Sequence, residues 1–186
     1  MIDFKKLQEE MRKQDGEYFF IVSGDKEFKA YNYYSVVQND SITMMDGKAI
    51  VSSILETLYN KARVKNYKPV CITGDSDGID SIAESYTNCV GSDVYVFQAD
   101  WDKDGRRARY LANEEMFLFA ARKKHKRCVL FWNGENKITL HLLYLAYLYN
   151  IQVIVFNYVQ RRWMTKDEIE DIQHEEYLQR ERTRRE

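Results

Sequence analysis

Proline and glycine are both scarce in this chain. A single proline, Pro69, and eight glycines occur among 186 residues, and no stretch has the composition of a flexible linker. An internal boundary between two globular domains is therefore not expected. Residues 1–163 are predicted to form one domain, followed by a charged C-terminal helical extension over residues 164–186.

Cysteine and histidine are also few, with three copies of each. No Cys/His pair has the spacing of a metal site, so no metal is predicted and the cysteines are expected to be free thiols. The chain lacks a Walker motif, a Gly-x-Ser-x-Gly elbow and the dinucleotide fingerprint. No cofactor is predicted, and hydride transfer is not expected.

The sequence has no long hydrophobic run and no excess of positive charge. No window of about 18 apolar residues exists, and the N-terminus lacks the apolar core of a signal peptide. A cytoplasmic protein without a membrane partner is therefore expected. The net charge is −1 and the pI is near 6.3, so nucleic acid is not an expected partner either.

What the sequence does contain is five short apolar runs that alternate with amphipathic segments. Strands are predicted at residues 18–23, 69–73, 93–98, 128–132 and 151–156, and helices at 3–13, 47–64, 79–89, 107–123 and 139–149. This alternation predicts an α/β fold. It is Rossmann-like and doubly wound, with a mainly parallel sheet of five or slightly more strands and helices on both faces.

Two segments do not fit the alternation. Residues 26–46 are rich in aromatic side chains without a clear period, and they predict a long connection with one irregular strand. This connection could be a functional lid or a loop that covers the sheet edge. In the tail, Thr165-Lys-Asp-Glu168 predicts a capping box at a helix start. Beyond Gln179 only charge and one threonine remain, so this helix is expected to fray into solvent or to pack on a second subunit.

The stretch from Pro69 to Asp80 predicts a buried strand, a tight glycine-containing turn and the start of a helix. In a parallel sheet the carboxyl ends of the strands face one crevice, where ligands bind. The crevice would offer glycine amides to phosphate, an indole to a base and carboxylates to ribose hydroxyls. The residues expected there are Ser23, Gly24, Asp25, Gly74, Asp75, Ser76, Gly78, Asp80, Asp100, Trp101, Asn113, Glu114, Glu115, Asn133, Gly134 and Thr139.

Structural explanations compete with each of these functional ones. Asp77 and Asp80 suit the first turn of a helix, where the helix dipole favours carboxylates. Trp101 and Trp132 could be packing at the rim of the sheet. Glu114 and Glu115, the candidate catalytic carboxylates, could simply lie on a solvated helix face.

Five segments resemble the SLOG superfamily, and its YspA-like branch in particular. They are Ile-Val-Ser-Gly-Asp-Lys-Glu-Phe (21–28), Ile-Thr-Gly-Asp-Ser-Asp-Gly-Ile-Asp (72–80), Ala-Asp-Trp-Asp-Lys-Asp-Gly (99–105), Asn-Glu-Glu-Met (113–116) and Phe-Trp-Asn-Gly (131–134). The superfamily also contains the DprA proteins and the Lonely Guy phosphoribohydrolases. The resemblance implies a Rossmann-like fold that binds nucleotides or nucleotide-derived ligands at the strand ends, often in a dimer or larger homo-oligomer.

The chain departs from the family pattern at several positions. Asp75 stands where the family's phosphate loop has a second glycine, which places a carboxylate where an anion would sit. Ile138 replaces the glycine of a later Gly-Thr pair. In the phosphoribohydrolases the matching catalytic Arg and Glu positions are here Ala112 and His141, so that hydrolysis is not expected. Residues 31–46 look like an insertion relative to the family.

Three functions remain open at this point. The first is binding or sensing of a nucleotide-like ligand. The second is cleavage or transfer at an N-glycosidic bond, with Glu114 or Glu115 as acid or base. The third is a degenerate SLOG scaffold that acts through protein contacts.

Overall fold

The apolar run after Glu17 forms the central strand of a six-stranded sheet. The computed structural model describes residues 16–29, 32–38 and 41–185. The strand order is β5 (Asp93–Phe97), β4 (Lys68–Gly74), β1 (Glu17–Gly24), β6 (Lys126–Trp132), β7 (Val153–Asn157) and β8 (Arg162–Trp163). All pairings are parallel except β7 with β8. The predicted α/β, Rossmann-like, mainly parallel sheet is confirmed, and β8 is an antiparallel edge strand that was not predicted.

Helices cover both faces of this sheet. They are α1 (Gly47–Val64), α2 (Ile79–Cys89), α3 (Trp101–Asp104), α4 (Ala108–Ala121), α5 (Lys137–Leu148) and α6 (Lys166–Arg185), with a 3₁₀ turn at Gly105–Arg107 between α3 and α4. Successive side chains of a strand point to opposite faces. Accordingly, Phe19 and Ile21 of β1 pack with α4, α5 and α6, while Phe20 and Val22 pack with α1 and α2.

Side-chain caps fix where three of the helices begin. Asp46 accepts a hydrogen bond from the Ala49 amide, at 2.7 Å, at the start of α1. Asn136 accepts from the amides of Ile138 and Thr139 at the start of α5. Before α6, the Glu168 carboxylate accepts from the Thr165 amide at 2.7 Å, and the Thr165 hydroxyl accepts from the Glu168 amide at 3.3 Å. The predicted capping box is therefore confirmed, and each cap satisfies amides that the first helical turn leaves unpaired.

The segment before α1 differs from its prediction. It contains two strands, β2 (Tyr33–Gln38) and β3 (Ser41–Asp46), which pair antiparallel in a sheet of their own. The prediction of one irregular strand was wrong. Residues 33–38 do not alternate apolar and polar side chains, and residues 41–44 alternate over only four positions, which is a weak strand signal. The helix predicted at residues 3–13 lies outside the described residues.

The tail helix α6 packs on its own domain. Ile169 is 5% exposed and belongs to the core on the α4–α5 side of the sheet. The Gln173 side-chain amide donates to the Leu143 carbonyl at 2.9 Å, and the Arg180 guanidinium lies 4.4 Å from the centre of the Tyr144 ring.

Fraying beyond Gln179 was therefore a wrong expectation, since the helix continues to Arg185. Charged pairs such as Arg184 with Glu181 support it where the apolar stripe ends. Among the helices of the described ranges, none combines the length and the apolar character needed to span a membrane.

Candidate functional site

The chain reverses its direction along the sheet between β1 and β6. After β1 it adds β4 and β5 on one side, and it then returns to add β6 and β7 on the other. At such a point the connections that follow the two central strands leave toward opposite faces, which opens a crevice at their carboxyl ends. The predicted polar clusters that follow β1, β4 and β6 lie at this edge of the sheet.

Asp25 is the buried centre of the first polar network at this edge. It follows β1 directly, is 1% exposed, and accepts hydrogen bonds from the Asn133 amide at 2.8 Å and the Tyr158 hydroxyl at 2.9 Å. The Thr139 hydroxyl donates to its other oxygen. Burial raises the pKa of Asp25, and these hydrogen bonds to the carboxylate partly offset the effect. Asp25 thus joins the segments that follow β1, β6 and β7.

Asp80 is the centre of a second network, in the first turn of α2. It is 2% exposed and accepts from the Ser23 hydroxyl at 2.6 Å, and from both the amide and the hydroxyl of Ser76. Burial raises the pKa of Asp80, while these hydrogen bonds and the nearby Arg109 guanidinium oppose the rise. The network ties the end of β1 to the turn between β4 and α2.

An arginine that the sequence interpretation missed lies beside this second network. Arg109 Nη1 is 2.9 Å from one carboxylate oxygen of Asp75 and 3.8 Å from an oxygen of Asp80. The other oxygen of Asp75 accepts from the Ala99 amide at 3.1 Å. Arg109 precedes Ala112 by three positions, so the two residues share one face of α4. Ala112 is the position that the predicted resemblance matches to an arginine, and Arg109 lies about one turn before it.

Two of the predicted glycines are explained by packing within the chain. A methyl group on Gly74 would lie 2.5 Å from Asp80 Oδ2 and 3.0 Å from Arg109 Nη1. Gly78 has φ of +79°, and a methyl group there would lie within 2.9 Å of the carbonyl oxygens of Asp25, Lys26 and Phe28. The turn after β4 is therefore filled by protein atoms.

Two further predicted residues, Gly24 and Asn133, have structural contacts as well. Gly24 pairs with Phe131 in the β1–β6 ladder. The side chain of Asn133 accepts from the amides of Glu135 and Asn136, both at 2.8 Å, in the turn that contains Gly134. These contacts shape the turn after β6.

Two buried donors in α4 have no hydrogen-bond partner among the described residues. They are Arg109 Nη1 and Asn113 Nδ2. Only 3% of the surface of Asn113 is exposed to solvent. The Arg109 contact to Asp75 is close enough for an ion pair, but it is not aligned as a hydrogen bond. Residues four positions apart share a helix face, so both donors belong to the side of α4 that covers the sheet.

The two predicted tryptophans differ in their environment. Trp101, in the first turn of α3, is 55% exposed. Trp132 is buried in the core on the α4–α5 side of the sheet, and its indole donates to the Asn136 carbonyl at 3.1 Å. Asp100 caps α3 by accepting from the Lys103 amide at 3.0 Å. No hydrogen bond within the described ranges joins Asp100 to Asp25 or Asp80.

The candidate catalytic carboxylates are not brought into either network. Glu114 and Glu115 are exposed on α4, and Asp77 is exposed in the turn before α2. His141, which the predicted resemblance matches to the catalytic Glu of the phosphoribohydrolases, is buried beside the ring of Tyr110. No observation on Glu114 or Glu115 favours an acid–base role over a solvated helix face.

Two concave surfaces lie outside this crevice. One of 770 Å³ is lined by the end of α5, the start of β7 and the first half of α6. Another of 460 Å³ lies between the starts of α4 and α5 and the end of α6. Within residues 16–29, 32–38 and 41–185, no group of three or more His, Cys, Asp or Glu side chains has a metal-binding arrangement.

The fold and this edge of the sheet define an α/β protein with a Rossmann-like sheet and a polar switch point. Comparison with family models, with curated proteins and with solved structures finds no match for this chain. The likeness to the SLOG superfamily therefore stays a prediction that depends on the motifs.

Proposed function

We propose that this protein binds a nucleotide or nucleotide-derived ligand in the crevice at the carboxyl ends of β1, β4 and β6. The observation that carries the proposal is the buried donor Asn113 Nδ2 in α4, which lacks a hydrogen-bond partner in the described part of the chain. Arg109 Nη1, on the same face of α4, is already in an ion pair with Asp75. An unsatisfied buried donor costs about 1–3 kcal/mol. A ligand with acceptor oxygens or nitrogens would recover that cost on binding.

The exposed indole of Trp101 supports the same proposal. More than half of its surface is open to solvent at the start of α3, directly after the strand β5. A large aromatic side chain that is left exposed beside a polar crevice suits a flat ring as a stacking partner. The buried carboxylates Asp25 and Asp80 would then act by holding the surrounding turns rigid.

A thermal-shift panel of nucleosides, nucleotides, cyclic nucleotides and ADP-ribose compounds tests the proposal. A ligand at about 100 times its Kd stabilises the protein by roughly 2.7 kcal/mol. For a chain of this size, Tm would then rise by about 5–10 °C. If no compound shifts the Tm of the folded protein, the proposal fails. That result would support the alternative of a scaffold that acts through protein contacts.

Indole fluorescence locates the ligand with a matched control. Trp101 and Trp163 are 55% and 42% exposed, and Trp163 lies in the edge strand β8. A ligand that stacks on Trp101 quenches the wild-type emission, and Trp101→Phe abolishes that change. Trp163→Phe retains it. Loss of the change in Trp163→Phe alone would contradict binding in this crevice.

A further inference from the structure

The Asp75 carboxylate is held in the way that a protein holds a bound anion. One of its oxygens accepts from the Ala99 amide at 3.1 Å, and the other lies 2.9 Å from Arg109 Nη1. A backbone amide and a guanidinium that converge on two oxygens are a donor set that suits a carboxylate or a phosphate equally. Here an acidic side chain of the protein itself occupies that donor set.

We propose that Asp75 is a built-in anion that fills the phosphate position of this crevice, so that the protein prefers a nucleoside over the corresponding nucleotide. The preference for an unphosphorylated ligand deepens the function proposed above and depends on it. A phosphate monoester in the crevice would face the carboxylates of Asp75 and Asp80, and among the described residues the Arg109 guanidinium is the one cation in contact with both. The negative charges of the phosphate and of these carboxylates repel each other, and this repulsion disfavours binding of the phosphate monoester.

The solvent exposure of Arg109 and Asp75 indicates which member of this ion pair an external group could replace. The Arg109 side chain is 13% exposed and that of Asp75 is 26% exposed, so the cation is the more deeply held member of the pair. Arg109 is also fixed by the carboxylate of Asp80, which is 2% exposed. Removal of the Asp75 carboxylate would leave the Ala99 amide and the guanidinium in place for an external anion.

Asp75→Ala tests the proposal with inorganic phosphate as the probe. The wild type is expected to show no phosphate-dependent rise in Tm at constant ionic strength. Asp75→Ala is expected to gain one, with phosphate binding at least tenfold tighter than in the wild type by isothermal titration calorimetry. Phosphorus NMR line broadening gives an independent readout.

Two variants control for charge and for place. Asp77→Ala removes an exposed carboxylate from the same turn, so it changes the net charge equally but leaves the donors of Asp75 occupied. Asp77→Ala should therefore show no gain in phosphate affinity. Adding Arg109→Gln to Asp75→Ala should abolish the gain. An equal gain in Asp77→Ala, or a gain that survives Arg109→Gln, would overturn the proposal.

Asp75→Asn covers the case in which Asp75→Ala does not fold. It keeps an acceptor for the Ala99 amide and removes only the charge. The ratio of adenosine 5′-phosphate affinity to adenosine affinity should then rise at least tenfold over the wild-type ratio. An unchanged ratio would contradict the inference.

The outcomes separate this inference from the proposed function. If nucleosides bind the wild type but Asp75→Ala gains no phosphate affinity, the built-in anion is refuted and the proposed function stands. If Asp75→Ala gains phosphate affinity while no nucleoside or nucleotide binds the wild type, the proposed function is refuted. Asp75 would still fill an anion position, but the nucleoside preference would be refuted as well.

Discussion

The hydroxyl of Thr139 donates a hydrogen bond to the carboxylate of Asp25, and so joins the first turn of α5 to the end of β1 across 114 positions in the sequence. Both residues are essentially without solvent exposure. The contact fixes the distance between the two segments that border the switch point. The floor of the crevice is therefore shaped by the protein before any ligand arrives.

Thr139→Val is expected to destabilise the protein by about 1–3 kcal/mol, because it removes a donor from a buried carboxylate while keeping the shape of the side chain. Urea denaturation measures the loss. Thr57→Val is the matched control, since the one hydrogen bond of the Thr57 hydroxyl within the described ranges goes to the Ser53 carbonyl on an exposed helix face. An equal loss in both variants would show that the Asp25 contact contributes nothing specific.

Gly78→Ala is expected to cost more than about 3 kcal/mol, because a methyl group would strike three carbonyl oxygens in a backbone conformation that side chains avoid. Gly91→Ala separates the cost of the backbone conformation from the cost of the steric clash. Gly91 also has a positive φ, of +65°, but a methyl group there meets nothing within 4 Å. That variant should lose only about 1–2 kcal/mol. Similar losses by urea denaturation would refute the packing explanation for Gly78.

Asn113→Ala is expected to cost less than about 1 kcal/mol, although Asn113 is buried, because the substitution also removes an unsatisfied donor. Met116→Ala, on the same face of α4 and fully buried, should cost about 2–5 kcal/mol. Chemical denaturation of the two variants gives the comparison. A loss at Asn113 as large as that at Met116 would mean that its amide has a partner in solution.

His141 is expected to make the protein sensitive to acid. Burial, and then the charge of Arg180, lower the pKa of His141 from 6.5 to about 4. The neutral form is thus favoured in the folded state. The contribution of neutral His141 to the free energy of unfolding is therefore fully present above pH 6.5. It is lost as the pH falls from 6.5 toward 4. The full contribution of His141 to the free energy of unfolding is about 3 kcal/mol.

His141→Phe keeps the ring contacts and should remove this slope between pH 6.5 and 4 in denaturation experiments. Asp25 and Asp80 contribute with the opposite sign. Their pKa values are raised, so their stabilising contribution is present below the ordinary pKa of 3.8 and is lost as the pH rises through the folded values. The difference between wild type and variant isolates the histidine. A slope that persists in His141→Phe would contradict the assignment.

Ile169→Ala is expected to destabilise the whole domain by about 2–5 kcal/mol, because α6 packs its apolar residues on the core of its own chain. Leu178→Ala, at a position that is 40% exposed on the same helix, should change stability by only about 0.5 kcal/mol. Denaturation together with size-exclusion chromatography checks both. If Ile169→Ala changed the oligomeric state but not the stability, the helix would pack on a second subunit after all.

The parts of the fold that the sequence predicted are those that bury a continuous apolar surface. The strands β1, β4 and β6 are covered on both faces, so each appears as an uninterrupted apolar run. Helix α1 was predicted with the bounds that it has. The short strand β8 and the strands β2 and β3 lack such a run.

The polar edge was predicted only in part, for a related reason. Strand ends locate Asp25, Asp80 and Thr139 at one edge, because parallel strands end together. Arg109 could not be assigned, since its partner Asp75 lies in a different segment and charged residues are common on helices. Its spacing of three positions before Ala112 was the available signal.

The position of β1 also determines when the sheet can be completed during synthesis. One edge of β1 pairs with β4, but the other pairs with β6, whose last residue is Trp132. On the ribosome, that second edge stays open until most of the chain has emerged. Such an edge of apolar residues can pair with another nascent chain. Completion of this sheet is therefore a late step of folding, and this protein is expected to need chaperone protection while it is made.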